Sequence, residues 1–159
     1  MTEFTTRCLI LACGNTLRSD DGVGPWLAQW AEEKFNEAPK VCAISRQQWT
    51  PDLAEEIAQS NCVLFIDCSV ESEAGSIGLR EVKPSPPAKG LSTHHQGAAE
   101  LLALAQQLYG SLPSEALLLT IGAGSIELGE TFSAPVLEAV PKACSLLEQT
   151  ILHWLHNAY

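Results

Sequence analysis

Basic side chains are scarce in this sequence and nowhere clustered. Nine Lys and Arg stand against nineteen Asp and Glu, a formal charge of -10, and no three cations are consecutive. Such a surface repels nucleic-acid backbones and anionic membranes, so neither is expected as a partner. Long apolar runs are missing too. The stretch Cys8 to Cys13 is far too short to cross a bilayer, and the opening MTEFTTR has no basic region leading into an apolar segment. The expected setting is therefore the cytoplasm. No C-x-x-C pair occurs and no histidine stands at ligand spacing from a cysteine, which argues against structural zinc. Five of the six cysteines (Cys8, Cys13, Cys42, Cys62 and Cys68) lie in or beside apolar strand-like runs and are expected as buried free thiols. Absent as well is a G-x-S-x-G elbow, and no cysteine in a loop has a cation beside it to lower its pKa, so a Ser or Cys nucleophile is not expected. A dinucleotide site is disfavoured because the first strand is not followed by G-x-G-x-x-G. Arg46 and Gln47 also occupy the place of a ribose-binding acid.

What is present is one globular unit. The 159 residues, 46% of them hydrophobic, can bury a core without a metal or disulfide, and a single domain over 1–159 is expected. Four apolar runs read as strands: Leu9-Ala12, Val41-Ile44, Cys62-Ile66 and Leu117-Ile121. Their apolarity is continuous and not alternating, as in strands covered on both faces. Helix-period segments lie between them. Val23, Trp26, Leu27, Trp30 and Ala31 mark the first as packing residues, and Leu53, Ile57 and Ala58 the second. Ala98, Leu101, Leu102, Ala105 and Leu108 mark the third, and Val136 through Leu155 a fourth that Pro141 kinks or restarts. Ser76-Val82 alternates weakly and reads as an edge strand, for which an antiparallel sense is open. The expected fold is thus a mostly parallel twisted α/β sheet of about five strands with helices on both faces. Lys83-Leu91, with three prolines and a glycine, is the one long loop and delivers the chain to Thr93-His94-His95.

Ligands in open α/β sheets gather outside the carboxyl ends of the strands. Three polar sequences fall at such ends: Gly14 to Gly24, Asp67, and Ser92 to His95. Asp20 and Asp21 fit helix capping, although three glycines within those eleven residues point to a backbone shaped around something else. Asp67 fits either a turn or a ligand at a strand end. Thr93-x-x-Gln96 reads as a capping box that places His94 and His95 in the first turn of the third helix, where the imidazolium is disfavoured. Neutral imidazole there is a competent metal ligand or base. Two carboxylates and one imidazole suit nickel, manganese, iron or zinc. His153 and His156, on the last helix, read as ordinary surface or partly buried residues.

The run Cys13-Gly14-Asn15-Thr16-Leu17-Arg18-Ser19-Asp20-Asp21-Gly22-Val23-Gly24 resembles the signature G-x-G-N-x-L-x-x-D-[DE]-G-x-G of the hydrogenase maturation proteases, with Ala12 in place of its first glycine. Phe65-Ile66-Asp67-Cys68, Ser92-Thr93-His94 and Thr120-Ile121-Gly122 are similar to later parts of that family, and Gln48-Trp49-Thr50-Pro51-Asp52-Leu53-Ala54-Glu55 resembles its Q-L-T-P-E-L-A-E stretch. The resemblance implies an endopeptidase that removes the C-terminal extension of a nickel-iron hydrogenase large-subunit precursor. It implies that Asp21, Asp67 and His94 contact the metal, and that the nickel arrives in the precursor and is not a permanent cofactor. His95, directly after the S-x-H position, is the alternative ligand. A second function to weigh is a non-proteolytic nickel-site chaperone or sensor for the same precursor. A third is an unrelated metal-dependent hydrolase or nucleotide-binding domain.

Overall fold

The computed structural model describes residues 7–86 and 97–157. Five strands, β1 (Cys8–Cys13), β2 (Val41–Arg46), β3 (Cys62–Ser69), β4 (Ile77–Glu81) and β5 (Glu115–Gly122), form one sheet in the order β2-β1-β3-β5-β4. The first four neighbours run parallel, and β4 closes the edge antiparallel to β5. Side chains alternate across the sheet with period two, and both faces are covered. Ile10, Ala12, Leu64, Ile66 and Leu119 meet α1 (Val23–Lys34) and α4 (Ala134–His156), while Leu9, Leu11, Val63 and Phe65 meet α2 (Leu53–Ala58) and α3 (Ala98–Tyr109). This is the α/β architecture that continuous apolar strands call for. Among the described residues no helix is long and apolar enough to cross a membrane.

Several local expectations change. The strand β3 runs on through Asp67 to Ser69, because β5 keeps pairing with it at Asp67↔Thr120, Cys68↔Ile121 and Ser69↔Gly122. Asp67 is therefore inside a strand and does not follow one. In α1 the buried stripe is Val23, Gly24, Leu27, Ala28 and Ala31, and Trp26 is 42% exposed. Small residues at 24 and 28 let the helix close on the sheet, so the indole of Trp26 is left at the margin, edge-on to Phe132 at 6.5 Å. The reading of Trp26 as a packing residue is corrected on that ground. The α3 stripe ends at Ala105, since Leu108 in the last turn is 59% exposed. Helix α4 is continuous through the exposed Pro141, with Pro135 in its first turn where a missing N–H costs nothing.

The chain turns to one side of β1 to make β2 and to the other to make β3, so the sheet reverses direction between β1 and β3. Loops part at such a switch point and leave a crevice at the carboxyl ends. Two glycines shape its floor. Gly14 has φ +151°, and a Cβ there would lie 1.9 Å from the Asp21 carbonyl oxygen. Gly24 brings α1 down on the strand ends, where a Cβ would meet the Cys13 carbonyl oxygen at 2.7 Å and that of Ile66 at 3.3 Å. Both obstacles are backbone, which cannot rotate aside. Gly24→Ala should therefore lower stability by about 1–3 kcal/mol through forced separation of α1 from the sheet. Gly78→Ala, at a position with nothing within 4 Å, should leave the urea midpoint unchanged or slightly raised. Equal midpoints for the two variants would contradict the close approach.

Candidate functional site

The turn after β1 enters a short 3-10 segment, Ser19–Gly22, before α1 begins. Neither aspartate in it caps the helix with its side chain, which corrects the capping expectation. Asp20 is fully buried, and its carboxylate reaches across the molecule. It accepts from the backbone N–H of Gly124 (2.7 Å), Ser125 (2.9 Å) and Ser133 (2.7 Å) and from the Ser133 hydroxyl (2.7 Å). Around it the same two loops are stitched by backbone: Ser19 N–H donates to the Gly129 carbonyl at 2.8 Å and Gly129 N–H to the Leu17 carbonyl at 2.9 Å. Burial by itself would raise the Asp20 pKa, but the four hydrogen bonds prevail and hold it below the ordinary carboxylate value.

Asp21, one residue on, faces a different place. Its Oδ2 accepts from the Asn15 N–H at 2.7 Å, and the residue lines a cleft of about 310 Å³ together with Cys13, Gly14 and Asp67. Asp67 comes to the cleft through strand register. The strand β1 pairs with β3 only as far as Ala12↔Ile66, so Asp67 lies past the last β1 partner and opens on the crevice. Its Oδ1 accepts from the Cys68 N–H at 2.8 Å and from the Cys13 thiol at 3.2 Å. Among the described residues its Oδ2 has no partner, and neither does Oδ1 of Asp21. Burial raises the Asp67 pKa; the two hydrogen bonds pull the other way, and the nearby Asp21 charge adds to the rise. The thiols share this environment. Burial and the neighbouring aspartates push Cys13 far up and Cys68 up to about 12, so neither is a thiolate nucleophile at neutral pH. All six cysteines are free, but of the five expected as buried thiols only Cys8 and Cys62 are buried, with Cys13, Cys42 and Cys68 half-buried.

The structure thus brings Asp21 and Asp67 into one cleft. His94 and His95 lie outside the described residues, and so does the Thr93-Gln96 capping box. Helix α3 begins at Ala98, with Gly97 extended (φ -82°, ψ 168°) as its N-cap, and the expectation for the two imidazoles falls with them outside the described residues. Gly97 itself lines the cleft three residues after His94. Among the described residues no three His, Cys, Asp or Glu side chains are gathered to hold a metal. The remaining wall, Gln47, Gln48 and Trp49, was missed as a site element. The signal was available, because these residues follow β2 and a fourth strand end feeds the same edge.

No family model matches the chain. It is 27% identical over 148 residues to the hydrogenase expression/formation protein HoxM of Cupriavidus necator, covering 87% of this chain and 73% of that one. The [NiFe] hydrogenase maturation protease HybD from Thermococcus kodakarensis superposes with a TM-score of 0.67 at 26% identity, over 91% of this chain and 99% of that one. The fold is that of the hydrogenase maturation proteases. The hydrogenase maturating endopeptidase HybD from E. coli shares this fold at a TM-score of 0.73, with 17% identity and 93% of each chain covered. Within this maturation-protease fold the adjacent aspartates divide into one that holds the turn and one that faces the cleft.

The buried Asp20 and the cleft-facing Asp67 should respond oppositely to neutralisation. Asp20 has a lowered pKa, so its contribution is complete above the unfolded value of 3.8 and is lost as pH falls through its folded value. Asp20→Asn is expected to cost about 2–4 kcal/mol at neutral pH, because an amide NH₂ must face backbone N–H groups, and the deficit should shrink in acid. Asp67 has a raised pKa, so its ionisation subtracts stability as pH rises from 3.8 through the folded value. Asp67→Asn should unfold within about 0.5 kcal/mol of wild type or above it. Urea titrations at neutral and acid pH check both signs.

Proposed function

We propose that this chain is the endopeptidase that removes the C-terminal extension of a nickel-loaded nickel-iron hydrogenase large-subunit precursor. The observation that carries the reading is the pairing of Asp21 and Asp67 in one cleft, each with one carboxylate oxygen held and the other unengaged among the described residues. The maturation-protease fold and the likeness to a hydrogenase formation protein support the precursor as partner. Free cysteines throughout fit a cytoplasmic setting.

In this reading the nickel comes in the precursor, as part of the substrate. Oxygen and imidazole donors suit it, and Asp21, Asp67 and His94 are the residues that hold it; His94 takes the S-x-H position, and Gly97 brings that segment's end to the cleft. Holding the metal fixes the neighbouring peptide against the crevice. The metal polarises the reacting carbonyl, and a carboxylate positions the water that attacks it. High thiol pKa values at Cys13 and Cys68 support a water nucleophile over a covalent one.

Incubation with nickel-loaded precursor, followed by mass spectrometry, tests the proposal. Loss of the C-terminal peptide is the expected result, and binding with no change of mass would make the chain a chaperone or sensor instead. Asp21→Asn, Asp67→Asn and His94→Ala should each reduce cleavage by more than the roughly 10- to 100-fold that removal of an outer partner of a metal ligand costs. His95→Ala should cleave nearly as wild type; loss there and not at His94 would move the imidazole by one position.

A further inference from the structure

A second hollow, of about 380 Å³, opens on the other side of Asp67 from the cleft and shares Trp49, Asp67 and Gly97 with it. It runs toward the edge strand β4, where Arg80 and Lys83 line it. Asp67 therefore stands at the junction of two hollows, which is the geometry for an extended chain with a segment on either side of one carboxylate.

Trp49 stands at the same junction. It is only 6% exposed, and its ring packs edge-to-face on Phe65 at 5.2 Å and 71°. Its Nε1 is buried without a hydrogen-bond partner, the one such side-chain nitrogen or oxygen among the described residues. A buried unmade hydrogen bond costs more than a made one contributes, so an orphaned donor calls for an explanation. Indole N–H can only donate, so only an acceptor can satisfy it. A ligand seated in the hollows that Trp49 lines can bring that acceptor. An extended peptide brings a carbonyl oxygen with every residue.

We propose that Trp49 positions the substrate: as the precursor segment seats across Asp67, the indole turns to it and donates to one of its backbone carbonyls. The proposal rests on the protease reading above. It also gives position 49 a selective role, because the Q-L-T-P-E-L-A-E stretch that residues 48–55 resemble has leucine there, which shapes a wall but donates nothing. An uncharged donor made on binding acts on ground and transition states alike, so its loss should appear in KM and spare kcat.

The experiment uses a precursor that the wild-type chain cleaves. Trp49→Phe, which keeps an aromatic against Phe65, and Trp49→Leu should each raise KM roughly three- to tenfold with kcat within about twofold. As a second readout, wild-type protein labelled with ¹⁵N at the indoles should show one of its four Nε1–H signals, assigned by its absence in Trp49→Phe, moving downfield when a synthetic peptide spanning the cleaved junction is added. Unchanged KM in both variants, or an unmoved Trp49 signal at saturating peptide, overturns the contact while leaving the protease reading intact. Failure of the wild-type chain to cleave any precursor overturns the protease reading, and the contact with it.

Discussion

The buried carboxylate of Asp20 gathers three backbone N–H groups and a hydroxyl from residues 124 to 133, and through it the turn after β1 is fixed to the loop that leads into α4. A buried charge is tolerated only when it is fully hydrogen-bonded, and here the bonding is dense enough to hold the pKa down despite burial. The consequence reaches the cleft. With Asp20 held inward, the next residue is turned outward, and Asp21 faces the crevice with the Asn15 N–H on one of its oxygens. Ser19, held in the left-handed region at φ 50° by its bonds to Gly129 and Glu127, belongs to the same clamp.

The second constraint is register. Because the β1–β3 pairing ends at Ala12↔Ile66 while β5 continues alongside β3, Asp67 keeps a strand backbone without a backbone partner on the β1 side. Rigid strand geometry then does for Asp67 what the clamp does for Asp21. The two thiols beside it, Cys13 and Cys68, stay protonated in this acidic, buried setting, so that Cys13 can donate to Oδ1 and leave Oδ2 toward the cleft. Burial is the main reason that the Asp67 pKa is raised, and the nearby Asp21 charge adds to it.

Much of this was legible in the chain itself. Strands covered on both faces must be apolar throughout, so β1, β2, β3 and β5 announced a parallel sheet, and Ser76-Val82 announced its weaker edge. The glycine-rich turn with its paired aspartates, and the lone Asp67 after an apolar run, marked the two cleft carboxylates. Periodicity was less reliable where side-chain size intervened: Gly24 and Ala28 let α1 approach so closely that Trp26 was left outside.

What the sequence by itself determined was the order and kind of the elements, because hydrophobic period and turn chemistry are local properties. It also determined which residue types stand at the strand ends. Tertiary structure alone decided the role of each. Asp20 and Asp21 are equivalent in a local reading, and they separate only because the donors that bury Asp20 lie 104 to 113 residues further along the chain. Trp49 likewise reads as an ordinary apolar residue beside a turn. Its importance comes from two hollows that meet at its ring and from an N–H that no neighbour satisfies, and both are properties of the packed molecule.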